Sequence, residues 1–247
     1  MNRTRLAMLP IALCTPIFAA CMEGSSSSAA PTDAMPDRMS SAHLAGLPDG
    51  DYEANLHPLN AAAQQGQDPD AADGARGVAR GKATFSIRNG EVVAMVSAEG
   101  LEPGMIHPQH IHSAAACPPA AADVNGDGYV DVIEGVPYYG PILIPLDSDL
   151  GSQATGSFPS ATGIRGILEY AASTPLATLL ADLNAADPDP ADAVIKLNGA
   201  ALALETRHVV LHGVDAATPL PSTVASLPGL PAYLTLPVAC GEVRRVR

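Results

Sequence analysis

The sequence predicts an all-β protein, an antiparallel Greek-key β-sandwich or barrel with a long, partly irregular insertion at about 147–198. The chain has 247 residues, and its 22 glycines and 23 prolines are typical of many short strands joined by turns. Several short segments alternate apolar and polar residues, as strands with one buried face do. Because the chain has no Trp and only three Phe, aliphatic side chains must fill its core.

The individual strands are predicted from short alternating or apolar runs. Residues 51–59 alternate, and residues 81–98 form two alternating runs around Asn89-Gly90, a pair typical of two-residue hairpin turns. Prolines bracket residues 141–146, which predicts a strand at a sheet edge. Further strands are predicted at 209–211 and 238–240, a short helix at 175–183, and a loop at 187–190.

The first 50 residues predict a signal and a tether, so that the domain spans 51–247. Residues 1–21 combine two arginines with an apolar run that ends in Ala-Ala-Cys, which resembles the signal of a bacterial lipoprotein. Cys21 would then carry the lipid, and the small, polar residues 22–50 would form a flexible tether. We expect a protein anchored by Cys21 to the membrane of the bacterial cell envelope, in the periplasm or at the outer surface. The alternative is an ordinary signal peptide and secretion.

The charge of the chain excludes several classes of protein. Its formal net charge is −13, whereas nucleic-acid binding needs clustered Lys and Arg to neutralise phosphates. The composition also excludes a coiled coil and a multi-pass membrane protein. We therefore expect no nucleic-acid partner, and the sequence indicates no particular protein partner.

Cys117 and Cys240 are the only cysteines that follow the signal. In an oxidising compartment an isolated pair predicts a disulfide, which would close a loop of more than a hundred residues. The alternative is two free, buried thiols.

Three histidines form the first candidate site. His110 and His112 are two residues apart, so on a strand they point to the same face and can share one metal ion. His212 ends another strand-like run, and imidazole nitrogens suit copper or zinc. The alternative is that these side chains line a polar face of the sandwich without a metal. His208 alternates with His212, and we expect it to face solvent or to pack rather than to join the site.

The segment GLEPGMIHPQHIH, the later RHVVLH and the terminal ACGEV resemble conserved stretches of the copper/zinc superoxide dismutase family. The resemblance covers roughly residues 77–117 and 201–243. It implies that His110, His112 and His212 bind copper and that His107 is a non-ligand that hydrogen-bonds behind the site. It also implies the disulfide already predicted, and superoxide as substrate. The histidine-rich strand is similar to that of CHRD domains as well.

The sequence departs from that family at two places. No histidine lies between Ser113 and Arg207, so neither the zinc ligands nor the histidine that bridges copper to zinc have counterparts, and zinc is not expected. The family's active-site arginine corresponds to Pro237. Because superoxide is an anion and this chain is acidic, we expect weak electrostatic guidance of superoxide to the site.

Residues 123–134 (DVNGDGYVDVIE) match the twelve-residue calcium loop of EF-hands. The expected ligands are the side chains of Asp123, Asn125, Asp127, Asp131 and Glu134 and the carbonyl of Tyr129. Because Cys117-Pro118-Pro119 precedes the loop and Gly135-Val136-Pro137 follows it, no EF-hand helices are expected beside it. Calcium would brace the loop, and the alternative is a solvated acidic turn.

These observations leave three functions open. The first is a copper-dependent superoxide dismutase, weak in activity. The second is a non-enzymatic protein that binds or holds copper. The third is a CHRD-like envelope domain, stabilised by calcium, whose histidines bind no metal.

Overall fold

The computed structural model describes residues 49–64, 77–114, 116–187 and 193–247. All of them belong to one compact unit, Met39–Arg247. The predicted signal with Cys21 lies outside the described residues, as do almost all of the predicted tether and most of the loop at 187–190. None of the described helices is both long and apolar enough to span a membrane.

In the described part of the chain nine strands form a curled antiparallel sheet, which confirms the predicted all-β class. The strands are β1 (Gly50–Pro58), β2 (Arg80–Arg88), β3 (Glu91–Glu99), β4 (Gln109–His112), β5 (Ile142–Pro145), β6 (Leu168–Pro175), β7 (His208–His212), β8 (Pro237–Glu242) and β9 (Arg244–Arg245). Their order is β5-β4-β7-β8-β1-β2-β3-β6, with β9 paired to β1. The Greek-key connection stays a prediction.

The α-helices are short and lie between the strands. They are α1 (Ala61–Gln64), α2 (Val132–Tyr139), α3 (Leu176–Leu183) and α4 (Ala232–Thr235). The helix predicted at 175–183 corresponds to α3.

The hairpin of β2 and β3 forms at the predicted turn. Asn89 and Gly90 have φ angles of 51° and 77°, the positive values that a tight two-residue turn requires. Side chains alternate between buried and exposed along both strands, so one face packs on the core. The strand predicted at 141–146 is β5, which lies at an edge of the sheet as expected.

The insertion at 147–198 contributes to the sheet. It supplies β6, which pairs with β3 along eight residues and forms the other edge. It also supplies α3, whose leucines Leu176, Leu179, Leu180 and Leu183 are buried in the main core. The segment is therefore part of the folded domain over much of its length.

The strands that carry the histidines are covered on both faces. Every residue of β4 and β7 is buried. One face of these strands, with Ile111, Val209 and Leu211, packs into the main core. On the opposite face Val210 and Cys240 pack against Tyr139 of α2. A layer of connecting segments therefore covers the face to which the even-numbered residues of β4 and β7 point.

The expectation that no helix flanks the acidic loop is wrong at its C-terminal end, because α2 begins directly after Asp131. The Asp131 side chain accepts hydrogen bonds from the backbone N–H groups of Ile133 and Glu134, and Glu134 bonds back to the N–H of Asp131. This reciprocal cap provides hydrogen-bond acceptors for the backbone N–H groups of the first turn, so a helix forms even though it contains Pro137. On the N-terminal side only a 3₁₀ turn, Ala120–Ala122, is present.

Candidate metal centre

Strand register brings His110, His112 and His212 to one face of the sheet. His110 lies opposite Val210 in the antiparallel pairing of β4 with β7, and the N–H of His212 donates to the carbonyl of Pro108. Residues that lie opposite each other on neighbouring strands point to the same face of the sheet, and so do residues two apart on one strand. The side chains of all three histidines therefore point into the covering layer. A bulge in the β7–β8 pairing occurs at His212, where such irregularities can re-aim a side chain.

The three imidazoles converge. Their ring centroids are 5.4 Å apart for His110 and His212, 5.6 Å for His110 and His112, and 6.0 Å for His112 and His212. One nitrogen of each ring lies within 4.8 Å of the other two, a spacing that suits ligands of a single metal ion. In the described parts of the chain this is the only group of three or more His, Cys, Asp or Glu side chains arranged in this way.

Backbone carbonyls determine which nitrogen of two of these histidines is free. The Nδ1 of His112 donates to the carbonyl of Gly140 over 2.7 Å, and the Nδ1 of His212 donates to the carbonyl of Thr235 over 2.7 Å. The proton is therefore on Nδ1, and the lone pair is on Nε2. The Nε2 atoms of both rings and the Nδ1 of His110 are buried without a hydrogen-bond partner. The Nε2 atoms of His112 and His212 are therefore ready to accept a metal.

Burial keeps these rings neutral. Desolvation lowers the pKa of His112 to about 3 and that of His212 to about 4, and the carbonyl hydrogen bonds only partly oppose it. The pKa of His110 is also well below its usual value, because of burial and of its two histidine neighbours. A metal needs neutral imidazole, so the protonation state required for binding already prevails at neutral pH.

His107 lies next to the cluster, against the backbone of His212. Its Nδ1 is 3.0 Å from the carbonyl oxygen of His212, and its Nε2 is 3.0 Å from that of Glu102. The ring is fully buried and connects β7 to the segment before β4. Gly213, at a φ of 105°, allows the close approach, because a Cβ atom there would lie 3.2 Å from the His107 ring.

His208 is packed and does not join the cluster. It lies opposite His112 across β4 and β7, and its Nδ1 donates to the carbonyl of Ala114 over 2.7 Å. The side chain is buried, so of the two environments expected for it, packing and solvent, the structure shows packing.

The predicted disulfide between Cys117 and Cys240 is present, with Cα atoms 5.8 Å apart. It ties the segment after β4 to strand β8 across a sequence separation of 123 residues. Cys240 packs with Tyr139, whose ring centroid lies 4.6 Å from that of His112. The disulfide thus holds the covering layer close to the histidine cluster.

The acidic loop is folded around its own backbone N–H groups. Asp123 accepts hydrogen bonds from Gly126, Asp127 and Gly128, and Glu134 accepts from Val124 and Asn125. The carboxylates of the loop do not form a cluster as tight as that of the histidines within the described residues. Calcium binding by Asp123, Asn125, Asp127, Tyr129, Asp131 and Glu134 therefore stays a prediction.

The acidic loop also holds a distant segment that covers the histidines. The hydroxyl of Thr223 donates to Asp127 over 2.7 Å, and the N–H of Ala225 donates to Asp131 over 2.7 Å. This segment leads into α4 and to the Thr235 carbonyl that accepts from His212. Neither this connection nor the roles of Gly140 and Thr235 could be read from the sequence, because backbone carbonyls carry no sequence signature.

Pro237 lies next to the histidine cluster. It is buried at the start of β8, in register with His212. Proline supplies neither a charge nor a hydrogen-bond donor there.

No protein-family model matches the chain, and no curated protein matches it. The fold and the site therefore define its class: an all-β protein with a buried cluster of three neutral imidazoles. That cluster fits a metal, because its donor atoms are unpartnered and mutually close.

Proposed function

We propose that this protein binds copper through His110, His112 and His212. The observation that carries the proposal is the convergence of three buried imidazoles. One nitrogen of each ring lies within 4.8 Å of one nitrogen of each of the other two, and each ring has a buried nitrogen without a hydrogen-bond partner. Left unfilled, the Nε2 atoms of His112 and His212 would be buried acceptors without a bond, which cost about 1–3 kcal/mol each. A bound ion would remove these costs together.

The donor set favours copper over other metals. Imidazole suits zinc, copper and nickel, and among divalent ions Cu²⁺ heads the affinity order for such nitrogen sites. Three neutral imidazoles hold Cu(I) and leave a coordination position open. The resemblance of the two histidine segments to the copper/zinc superoxide dismutases supports the same choice, and the absence of counterparts for the zinc ligands fits a copper-only site. The proposal includes an extracytoplasmic location with a lipid on Cys21.

We expect binding of copper to be strong and dismutation of superoxide to be slow. A fast dismutase needs a positive field that draws the anion inward. Pro237 provides no such charge, and the net charge of the chain is −13. A metal-holding role is therefore the better supported of the two copper functions, and dismutation is the second candidate.

The proposal is tested by titrating the purified protein with Cu(I) in competition with a chromophoric chelator. We expect one tight equivalent in the wild type, and its loss in His112→Gln and His212→Gln. His208→Gln is the matched control, since His208 is a buried histidine on the same face that lies outside the cluster. Equal copper affinity in all four proteins would reject the site and favour the metal-free, CHRD-like alternative.

A further inference from the structure

A cavity of about 210 Å³ lies against the three-histidine cluster. All three rings line it, and so does Phe158, whose ring centroid is 5.1 Å from that of His110. Aliphatic side chains complete the walls, from Val132 and Val136 of α2 and from Leu227 and Leu230 of the segment before α4. The candidate metal site therefore borders a hydrocarbon surface.

The side-chain atoms of this cavity that can still bind a polar group belong to the histidines. Among the described residues no Lys, Arg, Asp or Glu lines it. The one hydroxyl in the lining, that of Thr235, is already bonded to Ser226 and to the carbonyl of Ala232. The unpartnered ring nitrogens are thus the only side-chain polar atoms of the described lining without a bond.

The mouth of the cavity is apolar as well. Ile106 and Leu230 line it and are 47% and 45% exposed, so they form part of its rim. The volume corresponds to about seven water molecules at liquid density, enough for a compact organic molecule. Such a molecule would meet hydrocarbon on entry and a metal at the far end.

We propose that the cavity binds a small, uncharged molecule with an apolar body, which presents one donor atom to the metal held by His110, His112 and His212. This inference rests on the copper site proposed above. It names the class of ligand for the open coordination position, and that class differs from the anion superoxide.

The lining decides between charged and uncharged ligands. The metal's positive charge attracts an anion, but the anion's other lone pairs would face hydrocarbon and lose their hydrogen bonds to water. An uncharged ligand loses much less hydration. Each methylene that it buries against the aliphatic walls raises its affinity about fourfold.

A homologous series of alkyl isocyanides tests the inference, because these neutral molecules bind Cu(I) through one carbon atom. Methyl, ethyl, n-propyl and n-butyl isocyanide are titrated into the Cu(I)-loaded protein, and the C–N stretching band reports binding. We expect affinity to rise about fourfold per methylene until the cavity is full. A Cu(I) complex of free imidazole in water is the control, and it should show little dependence on chain length.

Two matched variants locate the effect. Leu230→Asp places a charge at the rim and should remove most of the dependence on chain length. Ile164→Asp makes the same change at an apolar residue that is 75% exposed and outside the cavity lining, and it should behave as wild type.

The outcomes separate this inference from the proposed function. Tight copper binding with isocyanide affinity independent of chain length, or with azide preferred to n-butyl isocyanide, would overturn the cavity assignment and leave the copper site intact. Absence of the tight copper equivalent would overturn both. Tight copper binding with an increase in affinity along the series, lost only in Leu230→Asp, would establish both.

Discussion

The Nδ1 atom of His112 lies 2.7 Å from the carbonyl oxygen of Gly140, the residue that ends α2. Gly140 has a φ of 78° and a ψ of 179°, a combination that is essentially restricted to glycine. A Cβ atom at this position would lie 2.7 Å from the Cβ of Ala114. The orientation of a candidate ligand thus depends on a backbone position that no other residue fits.

Gly140→Ala should therefore move the carbonyl and weaken copper binding by about 10–100-fold, the effect usual for a lost orienting partner. The measurement is chelator competition with Cu(I). Gly163→Ala is the control, because Gly163 also has a positive φ, of 69°, but open space around it. Equal losses of copper affinity in both variants would show that the effect is general strain and not the carbonyl of Gly140.

Removal of calcium should lower the thermal stability of the protein. An ion bound only to the folded state stabilises it by mass action, by about 2.7 kcal/mol at a hundredfold excess over Kd. Melting curves with calcium and with a chelator measure the difference. Asp127→Ala and Glu134→Gln should abolish the difference in melting temperature between the two buffers. Glu91→Gln, an exposed change on β3, should retain that difference. Identical wild-type curves in the two buffers would identify the segment as an ordinary acidic turn.

Reduction of Cys117–Cys240 should destabilise the protein by about 4–5 kcal/mol in the chain-entropy argument, since the bond closes a very long loop. Copper affinity should fall too, because the layer that orients His112 is released. Urea denaturation with and without reductant measures the first effect. Reductant should not change the stability of a Cys117→Ser/Cys240→Ser variant. Any loss of stability in that variant on addition of reductant would point to a different target of the reductant.

The metal-free protein should lose stability as pH falls from about 6.5 towards 4. In this range the histidines of the unfolded chain take up protons, while burial keeps the pKa of His112 near 3 and that of His212 near 4 in the folded chain. The unfolded state therefore binds more protons, and the free energy of unfolding decreases by about 1.4 kcal/mol per pH unit for each such histidine. Denaturant titrations at pH 7, 6 and 5 measure the slope. The slope of unfolding free energy against pH should be smaller in His212→Gln than in the wild type, by about 1.4 kcal/mol per pH unit. An equal slope in the wild type and the variant would contradict neutral burial of His212.

Superoxide dismutation by the copper-loaded protein should be slow and should change little with salt. Electrostatic steering can alter association rates by about 10–10³-fold, and an acidic chain with Pro237 beside the site lacks an attractive field. Rates are measured across ionic strength for the wild type and for His112→Ala. A fast, His112-dependent reaction that slows steeply with salt would show that another cationic group guides the anion.

The features that were predictable from the sequence are those encoded locally. Asn89-Gly90 specifies its hairpin through backbone conformation, and the spacing of His110 and His112 places both on one face. The helix α2 was missed because Gly135 and Pro137 suggested a break, although the Asp131 and Glu134 cap was present in the sequence as a helix-start signal.

The covering layer of the site could not be predicted, because it is made of long-range contacts. Gly140 and Thr235 act through carbonyl oxygens, and residues as distant as Val136 and Leu230 share the lining of one cavity. Nothing in the local spacing of these residues indicates that they meet. The apolar character of the site was therefore visible only in the structure.

The pairing of β1 with β8 has a consequence for the timing of assembly. His57 lies opposite Cys240, so the end of the first strand can complete its pairing only after β8, almost the last strand, has been synthesised. His212 likewise emerges from the ribosome about a hundred residues after His112. Such non-local closure slows folding. A chain cut short before β7 would hold two of the three imidazoles and an unpaired strand edge, so the centre can receive its ion only after synthesis is nearly complete.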